Sequence, residues 1–210
     1  MMRAKSKSSI WAWVFALGLL AVIVHQGYLT AVDHQVEAWM ETLRSPGLDR
    51  VVRPITFFGG TPWIAGLIAL MVGWWWMSRQ RGTLAIFLGS GLCGLLAELA
   101  LRLWVGQWRP DSGALPASVD LMMRVELSGF PSGHAFRAAW LYGWWAAALL
   151  RQRTRWATVG ALACGALILL VGLTRVYLHR HWLTDVVGGW LVAMTVLSVA
   201  RRRRRLGPVP

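Results

Sequence analysis

Long apolar runs separated by short charged breaks dominate this chain. They fall at about residues 10–29, 62–77, 83–101, 134–150, 156–173 and 182–200. Each approaches the length of helix needed to cross roughly 30 Å of hydrocarbon. The pattern therefore predicts an all-α fold, a six-span transmembrane helical bundle forming one domain over residues 1–210. The first run lacks a convincing small-x-small cleavage site, which favours a retained span over a signal peptide. One stretch has a different period. Between Thr30 and Arg44, the apolar positions Val32, Val36, Trp39, Met40 and Leu43 recur at spacings of three and four. That spacing predicts a short amphipathic interfacial helix between spans 1 and 2. Thr30-x-x-Asp33 has the form of a capping box at its start. Pro54 to Thr61, with Phe57-Phe58-Gly59-Gly60, reads as a turn leading into span 2. No sequence repeat is visible.

Composition agrees with a membrane protein. The chain is 56% hydrophobic, holds 15 Trp and is only 15% charged, too apolar for a soluble domain of this length. A net charge of +13 could suggest a nucleic-acid partner. Its distribution argues against one. Residues 1–9, 78–82, 151–155 and 201–210 hold 13 of the 22 Lys and Arg and none of the nine Asp and Glu. These are the ends of apolar runs, and such clusters set membrane orientation. The expectation is that both termini lie in the cytoplasm and the long loops on the far side. The run Arg201 to Arg205 then serves as an anchor, or as a contact for anionic inner-leaflet lipid. Trp74-Trp75-Trp76 reads as an interfacial aromatic belt. Cys93 and Cys164 lie in separate apolar runs and read as small packing residues rather than a disulfide or metal site.

Three stretches carry candidate chemistry. In Phe130-Pro131-Ser132-Gly133-His134, Pro131 and Gly133 oppose a regular helix and Ser132 is a good N-cap. A tight turn is expected to open a helix near His134. The first N–H groups of that helix would make an anion cradle with an imidazole on its rim. The other two are Arg102-Leu103-Trp104-Val105-Gly106-Gln107-Trp108-Arg109-Pro110, and Thr174-Arg175 followed after five residues by His181 and after three more by Asp185. Taken singly, each has a plain structural reading. An arginine beside a span end can snorkel to the interface, and a His/Asp pair can cap a helix.

Together the three resemble the signature of the type 2 phosphatidic acid phosphatase family, in its membrane lipid phosphatase branch. That signature runs Lys-x6-Arg-Pro, then Pro-Ser-Gly-His, then Ser-Arg-x5-His-x3-Asp. Order and internal spacing match, with Arg102 in the place of the usual Lys and Thr174 in the place of the usual Ser. The resemblance extends to bacterial undecaprenyl-diphosphatase and phosphatidylglycerophosphatase-type proteins. It implies that His181 is a nucleophile forming a phosphohistidine and that Asp185 orients it. It implies that His134 protonates the leaving group and then activates water. Arg102, Arg109, Ser132, Gly133 and Arg175 would bind the substrate phosphate.

The residue types suit that chemistry. Phosphoryl transfer needs cations on the non-bridging oxygens, a nucleophile in line and an acid at the leaving oxygen. Three guanidiniums can each bind phosphate bidentately. His181 and Asp185 are four apart, so one face of a helical turn lets Asp185 hold Nδ1–H and leaves Nε2 free. No metal or other cofactor is called for, because the acids do not cluster with histidine at ligand spacing. Glu98 is an intramembrane charge four residues before Arg102, and the two could pair; the plainer alternative is a neutral buried acid. His25 and His34 read as structural, and His179, which has no family position, as a loop residue or a minor contact.

The expected function is removal of a terminal phosphate from a lipid phosphate or diphosphate. Candidate substrates are undecaprenyl diphosphate, phosphatidylglycerol phosphate, phosphatidic acid or lipid A phosphates. The site would lie on the periplasmic side of a bacterial inner membrane. One alternative passes the phosphoryl group to another lipid instead of water. A more distant one is a non-catalytic membrane protein that binds anionic lipid.

Overall fold

A computed structural model describes the backbone of residues 2–112 and 120–206 and the side chains of residues 10–112 and 120–203. Arg3, Lys5, Lys7, Arg204 and Arg205, expected to help set orientation, have side chains outside the described residues. The α-helices are α1 (Met2–His25), α2 (Thr30–Thr42), α3 (Pro46–Phe57), α4 (Thr61–Met77), α5 (Arg81–Val105), α6 (Leu121–Leu127), α7 (Gly133–Leu149), α8 (Arg155–Tyr177) and α9 (Leu183–Leu206). No strand is present among the described residues. The all-α membrane fold is as the apolar pattern predicts, and each of the six expected runs has its helix.

Their capacities to cross a bilayer differ. Residues 46–77, α5, α8 and α9 are long and apolar enough by themselves, and α1 with α2 forms a further candidate bent by 87°. Helix α7 has 17 residues, about 25 Å at 1.5 Å per residue. It is short because it is the interior helix. It packs against α8 and α9, and more lightly against α4 and α5. Ala135, Phe136, Ala138, Ala139, Trp140, Leu141 and Tyr142 on it are all buried. Its partners fit it closely. Trp140 stacks on Phe87 with centroids 4.5 Å apart, and its Nε1 donates to Ser90 Oγ at 3.0 Å. Tyr142 accepts from Trp63 Nε1 at 2.9 Å and donates to the Phe58 carbonyl at 2.7 Å. These polar tips meet partners inside the bundle, where none would come from lipid.

Four expectations change. Helix α2 begins with Leu29 as its cap residue and no side-chain capping bond. The Thr30–Asp33 capping box does not form, because Asp33 is turned into the protein. Pro54 lies inside α3 rather than opening a turn. Ser45 starts that helix by accepting from the Leu48 N–H at 3.2 Å, with Pro46 at its first position. Packing against α8 offsets the one bond that Pro54 cannot donate. In the Trp triplet, Trp74 and Trp76 face outward while Trp75 packs on Phe87 with centroids 5.0 Å apart. Cys164 packs in the interior, whereas Cys93 is exposed on the bundle surface.

Helix α5 ends at Gly106, which takes φ +64°, a left-handed conformation that glycine adopts freely. The chain turns there into the segment carrying Arg109. The C-terminal ends of α5 and α8 and the N-terminal ends of α7 and α9 therefore bear all three motifs.

Candidate active site

Motifs distant in sequence are laced together by backbone. The Ser132 N–H donates to the Asp185 carbonyl at 2.8 Å, which fixes the start of α7 to the start of α9. The Gly129 N–H donates to the Gln107 carbonyl at 2.7 Å, and Arg109 N–H to the Leu127 carbonyl at 3.2 Å. Gly129 also lies against the Asp185 carboxylate so closely that a Cβ would collide with Oδ2. A side chain there would displace the Asp185 carboxylate.

His181 and Asp185 are 3% and 0% exposed. His181 Nδ1 lies 3.2 Å from Asp185 Oδ2, and that oxygen also accepts from the Trp182 N–H at 3.0 Å. With Asp185 ionised its oxygens only accept, and in that state Nδ1 carries the proton and Nε2 is the basic nitrogen. The loop folds back over α8, with the N–H groups of Arg180 and His181 both donating to the Arg175 carbonyl. Burial first, then the nearby Arg175, Arg109 and Arg102, holds the His181 imidazole well below its ordinary range. The neutral ring is thereby favoured.

The guanidiniums surround this pair. Arg109 is made less basic by burial and by Arg102. Arg175 Nη1 donates to Thr56 Oγ1 of α3 at 3.2 Å. The Nε atoms of Arg109 and Arg175 and the hydroxyl of Ser132 are buried without protein partners. Three unspent donors in one place suit an anion with several oxygens. Arg102 is committed differently. Its Nη2 donates to Glu98 Oε1 at 2.7 Å, and its Nη1 to the carbonyls of Val125 and Ser128 at 3.1 and 3.3 Å. The Glu98–Arg102 pair raised by the sequence exists, and Arg102 also braces the segment leading into Phe130-Pro131. His134, on the first turn of α7, shares the electrostatic neighbourhood of Arg175 and Arg109. Gly133 lies between Glu98 and Arg137. All eight site residues named from the sequence thus gather at one end of the bundle.

Several neighbours escaped the sequence reading. Asp33 of α2, 2% exposed, accepts from the Thr184 N–H at 3.0 Å, Thr184 Oγ1 at 2.6 Å and Gln107 Nε2 at 3.2 Å. Burial pushes its carboxyl above the ordinary range, while the Thr184 bonds oppose the rise. Asp111 pairs with Arg180 at 2.6 Å, and Trp182 Nε1 donates to the Trp108 carbonyl at 2.7 Å. Both join the segment after α5 to the loop before α9. His179 is a loop residue that makes contacts: its ring nitrogens lie 3.1 Å from Glu37 and 2.6 Å from Glu41, which tie that loop to α2. His25 and His34 remain structural. His25 stacks on Trp104 and lies 3.2 Å from the Val105 carbonyl, and His34 packs edge-on to Trp182. No group of three or more His, Cys, Asp or Glu that could hold a metal occurs among the described residues.

Apolar helices thus carry a buried His/Asp pair, under the electrostatic influence of three arginines, at one end of the bundle. The model of the PAP2 superfamily matches residues 82–205, and the chain belongs to that superfamily. It is 26% identical over 187 residues to phosphatidylglycerophosphatase B of Bacillus subtilis (strain 168), covering 87% of this chain and 88% of that protein. It is 30% identical over 134 residues to lipid A 1-phosphatase of Rhizobium etli, covering 60% of this chain and 52% of that protein. The fold resembles the crystal structure of a transmembrane PAP2 type phosphatidylglycerolphosphate phosphatase from Bacillus subtilis. There the TM-score is 0.77 at 23% identity, over 95% of this chain and 98% of that one. It also resembles LpxE of Aquifex aeolicus, with a TM-score of 0.58 at 17% identity over 80% and 93%.

Proposed function

We propose that this enzyme removes the terminal phosphate of a lipid phosphate or diphosphate through a phosphohistidine on His181. The observation that carries this reading is the pairing of His181 Nδ1 with Asp185 Oδ2 at 3.2 Å inside a ring of arginines. Asp185 holds the imidazole in one tautomer, and the positive field favours a neutral, nucleophilic Nε2.

In the first step Nε2 bonds to phosphorus as the bond from phosphorus to the leaving oxygen breaks. The departing oxygen keeps the electron pair and takes a proton from His134. In the second step water adds to phosphorus and gives a proton to His134, the P–N bond breaks, and phosphate leaves. Arg109 and Arg175, with their unspent Nε donors, the Ser132 hydroxyl and the backbone of Gly133 hold the non-bridging oxygens. Arg102 adds charge from its place on Glu98. Such preorganised charge is the larger part of phosphoryl-transfer catalysis. No step needs a metal.

The substrate classes to test are undecaprenyl diphosphate, phosphatidylglycerol phosphate, phosphatidic acid and lipid A phosphates; two of them match the names of the relatives above. Six crossings with both termini in the cytoplasm put the site on the periplasmic face of a bacterial inner membrane. The Lys and Arg distribution supports this orientation. The test is inorganic phosphate release by purified protein from each lipid, beside His181→Ala. Release that requires His181 supports the reading. Release that survives its loss, or none from any lipid, overturns it.

A further inference from the structure

Arg137 is a cation that the mechanism above does not use. It lies one turn into α7 beyond Gly133. A methyl group on Gly133 would stand 2.6 Å from Glu98 Oε1 and 2.8 Å from Arg137 Nη1. The guanidinium therefore touches the turn that carries Ser132 and His134. Glu98 pairs with Arg102 at 2.7 Å and faces Arg137 across Gly133, so it offsets part of the charge without a contact within 4 Å among the described residues. Its Nε is buried and has no hydrogen-bond partner.

The other side of Arg137 is apolar. It lines a groove of about 390 Å³ between α4, α5 and α7, walled by Ile64, Ile68, Leu92, Leu95 and Phe136. Arg137 thus stands where the phosphate cradle meets a groove on the lipid-facing side. A guanidinium inside a membrane helix is costly, and those that occur mark polar pathways or ligands. The cost is offset when an anion meets the charge. The scissile phosphate is already faced by Arg109 and Arg175, so the anion for Arg137 is a different one, on the tail side.

We propose that Arg137 binds a second phosphoryl group of the substrate, one that lies between the scissile phosphate and the lipid tail, while the tail runs in the adjoining groove. The enzyme then favours lipids with two phosphoryl groups over a simple lipid monophosphate. The inner group can be the bridged phosphate of a polyprenyl diphosphate or the phosphodiester of phosphatidylglycerol phosphate. Both offer the oxygens that a guanidinium fork binds. This assignment rests on the phosphatase reading above.

The experiment measures kcat and KM for phosphate release by purified protein in detergent, with phosphatidic acid, phosphatidylglycerol phosphate and undecaprenyl diphosphate. Wild type is compared with Arg137→Gln and Arg137→Lys. Losing a charge-assisted contact is expected to raise KM on the order of 10- to 100-fold for the two-phosphoryl lipid that uses it. Phosphatidic acid turnover should stay within about 3-fold of wild type, since no contact to it is lost. Lysine should restore part of the loss. Whichever two-phosphoryl lipid is penalised identifies the inner group as diester or diphosphate. Equal loss on all three lipids, or no loss on either two-phosphoryl lipid, overturns the assignment. If the glutamine variant does not fold, the lysine variant carries the same comparison. A wild-type protein inactive on every lipid overturns the underlying phosphatase reading, a result that differs from both.

Discussion

Asp33 caps a helix that is not its own. Its Oδ1 accepts the Thr184 N–H at 3.0 Å and its Oδ2 the Thr184 hydroxyl at 2.6 Å, so α2 supplies the carboxylate for the buried first turn of α9. That turn carries Asp185, four residues after His181. The same carboxylate holds Gln107, two residues before Arg109. One side chain on α2 thereby joins the segment that carries Arg109 to the turn that carries Asp185.

Asp33→Ala strands these buried donors, at about 1–3 kcal/mol for unsatisfied groups of this kind. We expect a lower thermal unfolding midpoint in detergent together with reduced kcat. Asp33→Asn keeps an acceptor and should recover much of both. Equal loss in the two variants would show that the charge, not the cap, is what matters.

The two histidines separate by leaving group. His181→Ala should abolish turnover of every substrate. His134→Ala should slow phosphoenzyme formation more for a lipid monophosphate, whose alkoxide leaving group needs a proton, than for a diphosphate. General acids contribute about 10²–10⁴-fold, so the gap is measurable in single-turnover experiments. The His134 variant should accumulate acid-labile, base-stable label and the His181 variant none. Equal damage to both substrate classes would contradict the assigned roles.

Arg102 makes three contacts at once, to Glu98 and to the Val125 and Ser128 carbonyls. Arg102→Ala should cost roughly 2–4 kcal/mol in kcat/KM, by analogy with removing one transition-state donor. Arg102→Lys keeps a cation and should retain appreciable activity. If lysine performs no better than alanine, the fork that braces residues 125–128 is what the reaction needs. If alanine is harmless, Arg102 lies outside the working site.

His181 gives a signature in pH. Burial and the surrounding arginines hold its folded-state basicity well below that of the unfolded chain, where histidine titrates near 6.5. The fold therefore favours the neutral ring. This contribution is present above about pH 6.5 and is lost as pH falls below it, because the unfolded state then binds a proton that the folded state refuses. The unfolding midpoint of wild type should drop more between pH 7 and 5 than that of His181→Asn. Parallel curves would mean that His181 is not held neutral.

The fold and most of the site are legible in the sequence, for definite reasons. Run length and hydropathy determine helices in a membrane, since every backbone polar group must be satisfied within the segment. The apolar blocks therefore give α4, α5, α7 and α8 within about four residues, while α1 starts eight residues earlier than its block and α9 runs six residues beyond its own. Fixed spacings carry Arg102 and Arg109, Ser132 to His134, and Arg175, His181 and Asp185, because each group lies on one turn or one helix end. Glu98 and Arg102 are legible together for the same reason, four residues apart on one face.

Tertiary structure decides what depends on partners far along the chain. Asp33 has the spacing of a local cap, but its donors lie 74 and 151 residues away. Their pull turns it inward and leaves α2 without a side-chain cap. The pairs Asp111–Arg180 and Trp108–Trp182 likewise form only once α5 and α9 are adjacent. Pro54 marks a break in sequence, yet packing on α8 carries α3 through it. Arg137 reads as one more charge in a helix. Its meaning comes from the groove on one side and Gly133 on the other, which no spacing within α7 encodes.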